Sequence, residues 1–125
     1  MMKYLFALSF LMFGLQACYN DKADQLYGVK ASTSCDTSSV TYSSTIKTIM
    51  DQNCSISGCH DATTQANGYN FSTYSGLATS IQLNRLLGAI TQQNGYFAMP
   101  QSGGKLASCD IEKITAWVHS GYPNN

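Results

Sequence analysis

The sequence predicts a mainly α-helical domain on three observations. Apolar residues recur at helical spacing in separate stretches, those stretches end in turn-forming residues, and no run of alternating β-branched residues is long enough to build a sheet. No internal repeat is visible. The first stretch puts Ile46, Ile49 and Met50 on one face, with Ser43 or Ser44 available as cap, and predicts a helix over 45–52 that leads straight into Cys54. Residues 69–74 read as a loop entering a short helical turn around Leu77, with Ser72 as its cap. Leu83, Leu86, Leu87 and Ile90 give the i, i+3, i+4, i+7 pattern of a second clear helix, ended by Asn94 and Gly95. Glycines and Pro100 make the segment from 94 to about 107 an irregular loop. The last helix is the best marked. Ser108 stands at its cap, Asp110 and Glu112 in its first turn, Ile111, Ile114, Thr115 and Val118 on one face, and Gly121 beyond its end.

A chain of 125 residues has room for one small domain and a short tether. Seven Lys and Arg balance seven Asp and Glu, and charged residues are only 11% of the chain, which excludes nucleic acid as a partner because no basic footprint exists. Lys3, the apolar run 4–15 and the small residue Ala17 predict a secretion signal over 1–17. Its run of 12 residues is shorter than the roughly 20 needed to span a bilayer. Leu15-Gln16-Ala17-Cys18 resembles the lipobox of bacterial lipoproteins. The resemblance implies that Cys18 is acylated, becomes the first residue of the mature chain and anchors the protein to a membrane of the cell envelope. Polar Asn20, Asp21, Lys22 and Asp24 follow at once, so 18–39 reads as a tether and 40–125 as the folded domain.

The chemical centre is the segment from Cys54 to His60. Two thiols can add across the vinyl groups of haem, and a histidine directly after the second thiol then lies under the ring with a nitrogen aimed at the iron. The common attachment signature is C-x-x-C-H, whereas four residues separate Cys54 from Cys59, and serine and glycine in that spacer permit an outward bulge. Two other uses of the segment stand beside this one. Cys54 and Cys59 could close a small disulfide loop with His60 on the surface, or the three residues and one more ligand could hold a structural zinc.

With the helix before the motif, the terminal helix carrying Trp117, and Met99-Pro100 in the glycine-rich loop between them, the chain from about 40 to 122 resembles a small bacterial monohaem cytochrome c. The resemblance implies an all-α, cytochrome c-like fold of three to four helices around one haem c. It implies thioethers on Cys54 and Cys59, His60 and Met99 as axial ligands of the iron, and one-electron transfer to redox proteins at the outer face of a membrane. A saturated iron leaves no open position, so no enzymatic activity is expected. Tyr69, Phe71, Tyr74, Tyr96 and Phe97 are candidates for the pocket wall. Met50 is expected to pack against the last helix, and His119 to sit in its final turn, where the helix dipole favours it without a metal.

With Cys18 assigned to lipid and Cys54 and Cys59 to haem, Cys35 and Cys109 remain. In an oxidising compartment they are expected to be joined, a bridge that would contribute about 4 kcal/mol in the chain-entropy model. The alternative reading of the whole chain is a haem-free, disulfide-bonded surface lipoprotein that acts as a binding module for a glycan or another protein. The longer thiol spacing and the Tyr-, Asn- and Ser-rich composition favour it. A haem enzyme with an open distal face is the third reading.

Overall fold

Thr41 opens the first helix: its backbone is extended (φ −116°, ψ 158°) and its hydroxyl accepts from the Ser44 N–H at 3.3 Å. The computed structural model in which this cap is seen describes residues 34–101 and 104–125; the secretion signal and Cys18 lie outside the described residues. Helix α1 consists of a π-helical turn, Tyr42–Ile46, running into an α-helical stretch, Lys47–Asn53. It starts earlier than its sequence predicts and uses neither Ser43 nor Ser44 as cap. The reason is tertiary. The N–H groups of Tyr42 and Ser43 donate to the side-chain and main-chain oxygens of Asn125, both at 2.9 Å, so the far end of the chain supplies acceptors to the first turn.

Helix α2, Tyr74–Gln82, is a nine-residue helix where a short turn was expected, and its cap is Thr73, which accepts from the Gly76 N–H, rather than Ser72. Helix α3 is Leu86–Ile90. The expected helix through Leu83 is broken there, because Asn84 takes the left-handed conformation (φ 53°) and leaves Leu83 56% exposed. Helix α4, Ser108–His119, follows the irregular loop and matches its predicted span, although Ala107 rather than Ser108 is the residue flanking its start. Among the described residues these four α-helices are joined by loops and one 3-10 turn, Ala66–Gly68, with no strand. The all-α class is therefore as the sequence predicts.

The core forms where the first turn of α1 meets α4. Ile46, Met50, Leu77, Ile114 and Trp117 are all at most 1% exposed, each removing a large apolar side chain from water at roughly 1.5–3 kcal/mol. Met50 thus lies in one buried cluster with Ile114 and Trp117 of the last helix. Tyr42, Tyr74 and Trp117 join the core as an aromatic cluster, with the Tyr42 ring 5.1 Å from Tyr74 and 5.9 Å from Trp117. The Trp117 indole donates to the Pro123 carbonyl at 3.0 Å, and the Tyr74 hydroxyl to the Tyr122 carbonyl at 2.9 Å, so their polar ends are satisfied. The compact unit begins at Ser34, and the Cys35–Cys109 disulfide, Cα–Cα 5.3 Å, ties its first residues to the start of α4. The bridge expected between these two cysteines is formed.

Candidate functional site

Helix α1 ends at Asn53, and the motif follows as an irregular loop whose shape is set by hydrogen bonds rather than by a regular helix. The Cys54 N–H donates to the Met50 carbonyl at 2.8 Å, the His60 N–H to the Cys54 carbonyl at 3.0 Å, and the Cys59 N–H to the Ile56 carbonyl at 3.0 Å. Asp61 then locks the loop. Its carboxylate accepts from the N–H groups of Thr63 (2.7 Å), Thr64 (2.9 Å) and Gly58 (3.1 Å). The Thr64 contacts first, then those of Thr63 and Gly58, hold this carboxyl down to about 2.

His60 is 8% exposed. Its Nδ1 lies 3.3 Å from the Tyr69 carbonyl oxygen and its ring 4.5 Å from that of Phe71, so a hydrogen bond and a ring contact fix its orientation. It is not the surface residue that a small disulfide loop would leave. Cys54 and Cys59 are both half-buried free thiols, so that loop is not formed. Burial, with the neighbouring Cys59 adding to it, pushes the Cys54 thiol up to about 11. Such a thiol stays protonated at neutral pH and is a poor nucleophile.

These residues form one wall of a cavity of about 560 Å³. Leu86, Ala89 and Ile90 of α3 contribute to it, and the loop after α3 brings Tyr96, Phe97 and Met99. The Met99 N–H donates to the Ala89 carbonyl at 3.1 Å, which anchors the loop on α3 beside a cis Met99–Pro100 peptide. Four of the five aromatics expected at a pocket wall, Tyr69, Phe71, Tyr96 and Phe97, line it; Tyr74 does not, being held in the cluster with Tyr42 and Trp117. His119 is exposed in the last turn of α4, away from this cavity. Arg85 lines the cavity too, and the sequence reading passed it over. It is the only arginine of the chain, and nothing in its spacing marks it in the sequence.

Cys54, Cys59, His60 and Met99 thus share one cavity, but they do not build a metal centre. Among the described residues no group of three or more His, Cys, Asp or Glu side chains is placed to hold a metal ion, and the cross-link the chain makes is between Cys35 and Cys109. The expectation of covalent haem c binding and one-electron transfer as the function is corrected on this finding. The physical reason lies in the sulfur chemistry: the covalent bond that the cysteines make is the Cys35–Cys109 bridge, while Cys54 and Cys59 remain free thiols and burial keeps that of Cys54 protonated. A zinc site on Cys54, Cys59 and His60 is not formed either. Among the described residues no helix is long and apolar enough to cross a membrane. Comparison of the chain with protein-family models, with curated proteins and with solved structures finds no match.

Proposed function

We propose that this chain is a disulfide-braced binding module, exported and held to a membrane of the cell envelope by lipid on Cys18. The observation that carries the reading is the cavity of about 560 Å³, a size suited to a small organic molecule and walled largely by aromatic and aliphatic side chains. Apolar walls supply affinity through burial, at about 25 cal/mol per Å² removed from water, and the few polar groups supply orientation. The pairing of the first turn of α1 with α4 is an arrangement that a cytochrome c-like fold would have, and we propose that relation for the fold alone.

Purified protein from the membrane fraction, titrated with an apolar fluorescent probe such as N-phenyl-1-naphthylamine, should bind one probe per chain. Ile90→Trp, which fills the cavity from α3, should weaken that binding at least about tenfold, since a blocked site loses most of its apolar contact. Absence of saturable binding to the wild type sinks the reading. So does a haem absorption band that survives denaturation, which would reinstate an electron carrier. Cys18→Ala should move the protein from the membrane to the soluble fraction, and an unmodified mass at that residue would remove the anchor from the proposal.

A further inference from the structure

We infer that the cavity takes an amphipathic anion, its apolar body between the aromatic walls and its headgroup at Arg85. The inference rests on the binding-module reading above and names the ligand class for that same site.

Among the described residues that line the cavity, Arg85 is the only charged one and none is a carboxylate. Its side chain is exposed. Among the described residues the only ion pair is Lys47–Asp51, so Arg85 has no acidic partner there. Elsewhere on the cavity wall the polar groups are neutral amides, hydroxyls, thiols and the His60 ring, with Phe97 81% exposed and Ile56 43% exposed beside them. An apolar enclosure with one unopposed guanidinium in water has a definite chemical preference. A ligand without charge gains only the apolar burial. A cation gains that and meets repulsion. An anion gains the burial and a forked, bidentate partner, and it can leave its charge hydrated because Arg85 is exposed, which avoids the heavy cost of burying an ion. The ligand is therefore elongated or planar, with its charge at one end.

Exposure also sets the size of the preference. Ion pairs in water contribute little, so the anion should be favoured over a matched neutral molecule by about three- to fivefold, not by orders of magnitude. Calorimetric titration of the processed, disulfide-bonded protein with decanoate, decanol and decylammonium tests this. Decanoate should bind about three- to fivefold more tightly than decanol, and decylammonium more weakly than either. Arg85→Gln should bring decanoate down to the decanol value without moving decanol, Arg85→Lys should keep part of the difference, and high salt should shrink it in the wild type. Because the Arg85 side chain makes no hydrogen bond or ion pair with the described residues, the glutamine variant should keep the wild-type circular dichroism and melting behaviour. Equal binding of decanoate and decanol by the wild type, or a preference that survives Arg85→Gln, overturns the anion inference while the cavity stands as a binding site. If the wild type binds none of the three, decanol included, the binding-module reading falls and the inference with it.

Discussion

At the scale of single residues, Cys54 and Asp61 show how neighbours only a few positions apart move in opposite directions. Burial lifts the Cys54 thiol to about 11, so at pH 8 it holds about two orders of magnitude less thiolate than an ordinary cysteine. Alkylation of Cys54 by iodoacetamide, followed by peptide mass analysis, should be slowed about a hundredfold against an unfolded control and should recover as the pH approaches 11. Asp61 is held down to about 2 by N–H donors of its own loop. A carboxyl depressed in the folded state contributes stability above its unfolded value of about 4 and loses it as the pH falls towards 2. Amide resonances of Gly58, Thr63 and Thr64 should therefore move together across that window, and in Asp61→Asn the movement should be absent. Much of the site was legible at this scale. Cys54, Cys59, His60 and Met99 were singled out for their chemistry and do meet at one cavity, although the use assigned to them is corrected. Arg85 was not legible, since one arginine within a helical pattern carries no spacing signal, and Tyr74 was placed wrongly because its role depends on Trp117, far along the chain.

Element ends explain where helices were legible and where they were not. Helices α2, α3 and α4 all close in the same way: a left-handed residue follows the last turn, and two N–H groups reach back to the carbonyls of that turn. At α4 the left-handed residue is Gly121 (φ 93°), with its N–H on Val118 at 3.1 Å and that of Tyr122 on Trp117 at 3.0 Å. This is the end the sequence marks, because glycine adopts that conformation without cost. At α2 the residue is Asn84, and at α3 it is Gln92 (φ 59°), which carries no signal at all, so the helix was extended to Asn94. Gln92→Gly should raise stability by about 1 kcal/mol, because a side chain is relieved of an unfavourable backbone conformation. An urea denaturation midpoint unchanged or lowered would contradict it. Gly88 presents the converse: a Cβ built there would meet the Tyr96 ring at 2.4 Å. Gly88→Ala should push Tyr96 off α3 and, since Tyr96 lines the cavity, weaken probe binding as well as lowering the melting temperature.

For the molecule as a whole, the cross-link reaches over a sequence separation of 74 and encloses α1, α2 and α3. Cys35→Ser with Cys109→Ser should cost about 2–4 kcal/mol and lower the melting temperature by about 10 °C or more, read by differential scanning calorimetry. Its pairing was legible only through the other cysteines, by removing three from the count, and it is formed even though haem attachment, one of the uses that entered that count, is corrected. The bridge also decides how the fold bears load. Tension applied at Ser34 passes through the sulfur atoms into α4 and never enters the covalent ring between them, so the chain that lines the cavity, residues 53–106, cannot be drawn out while the bridge holds. In a single-molecule stretching experiment with handles at Ser34 and Asn125, the oxidised chain should lengthen by only about 50 Å, the reach of the segment after Cys109, whereas the reduced chain should release about 300 Å.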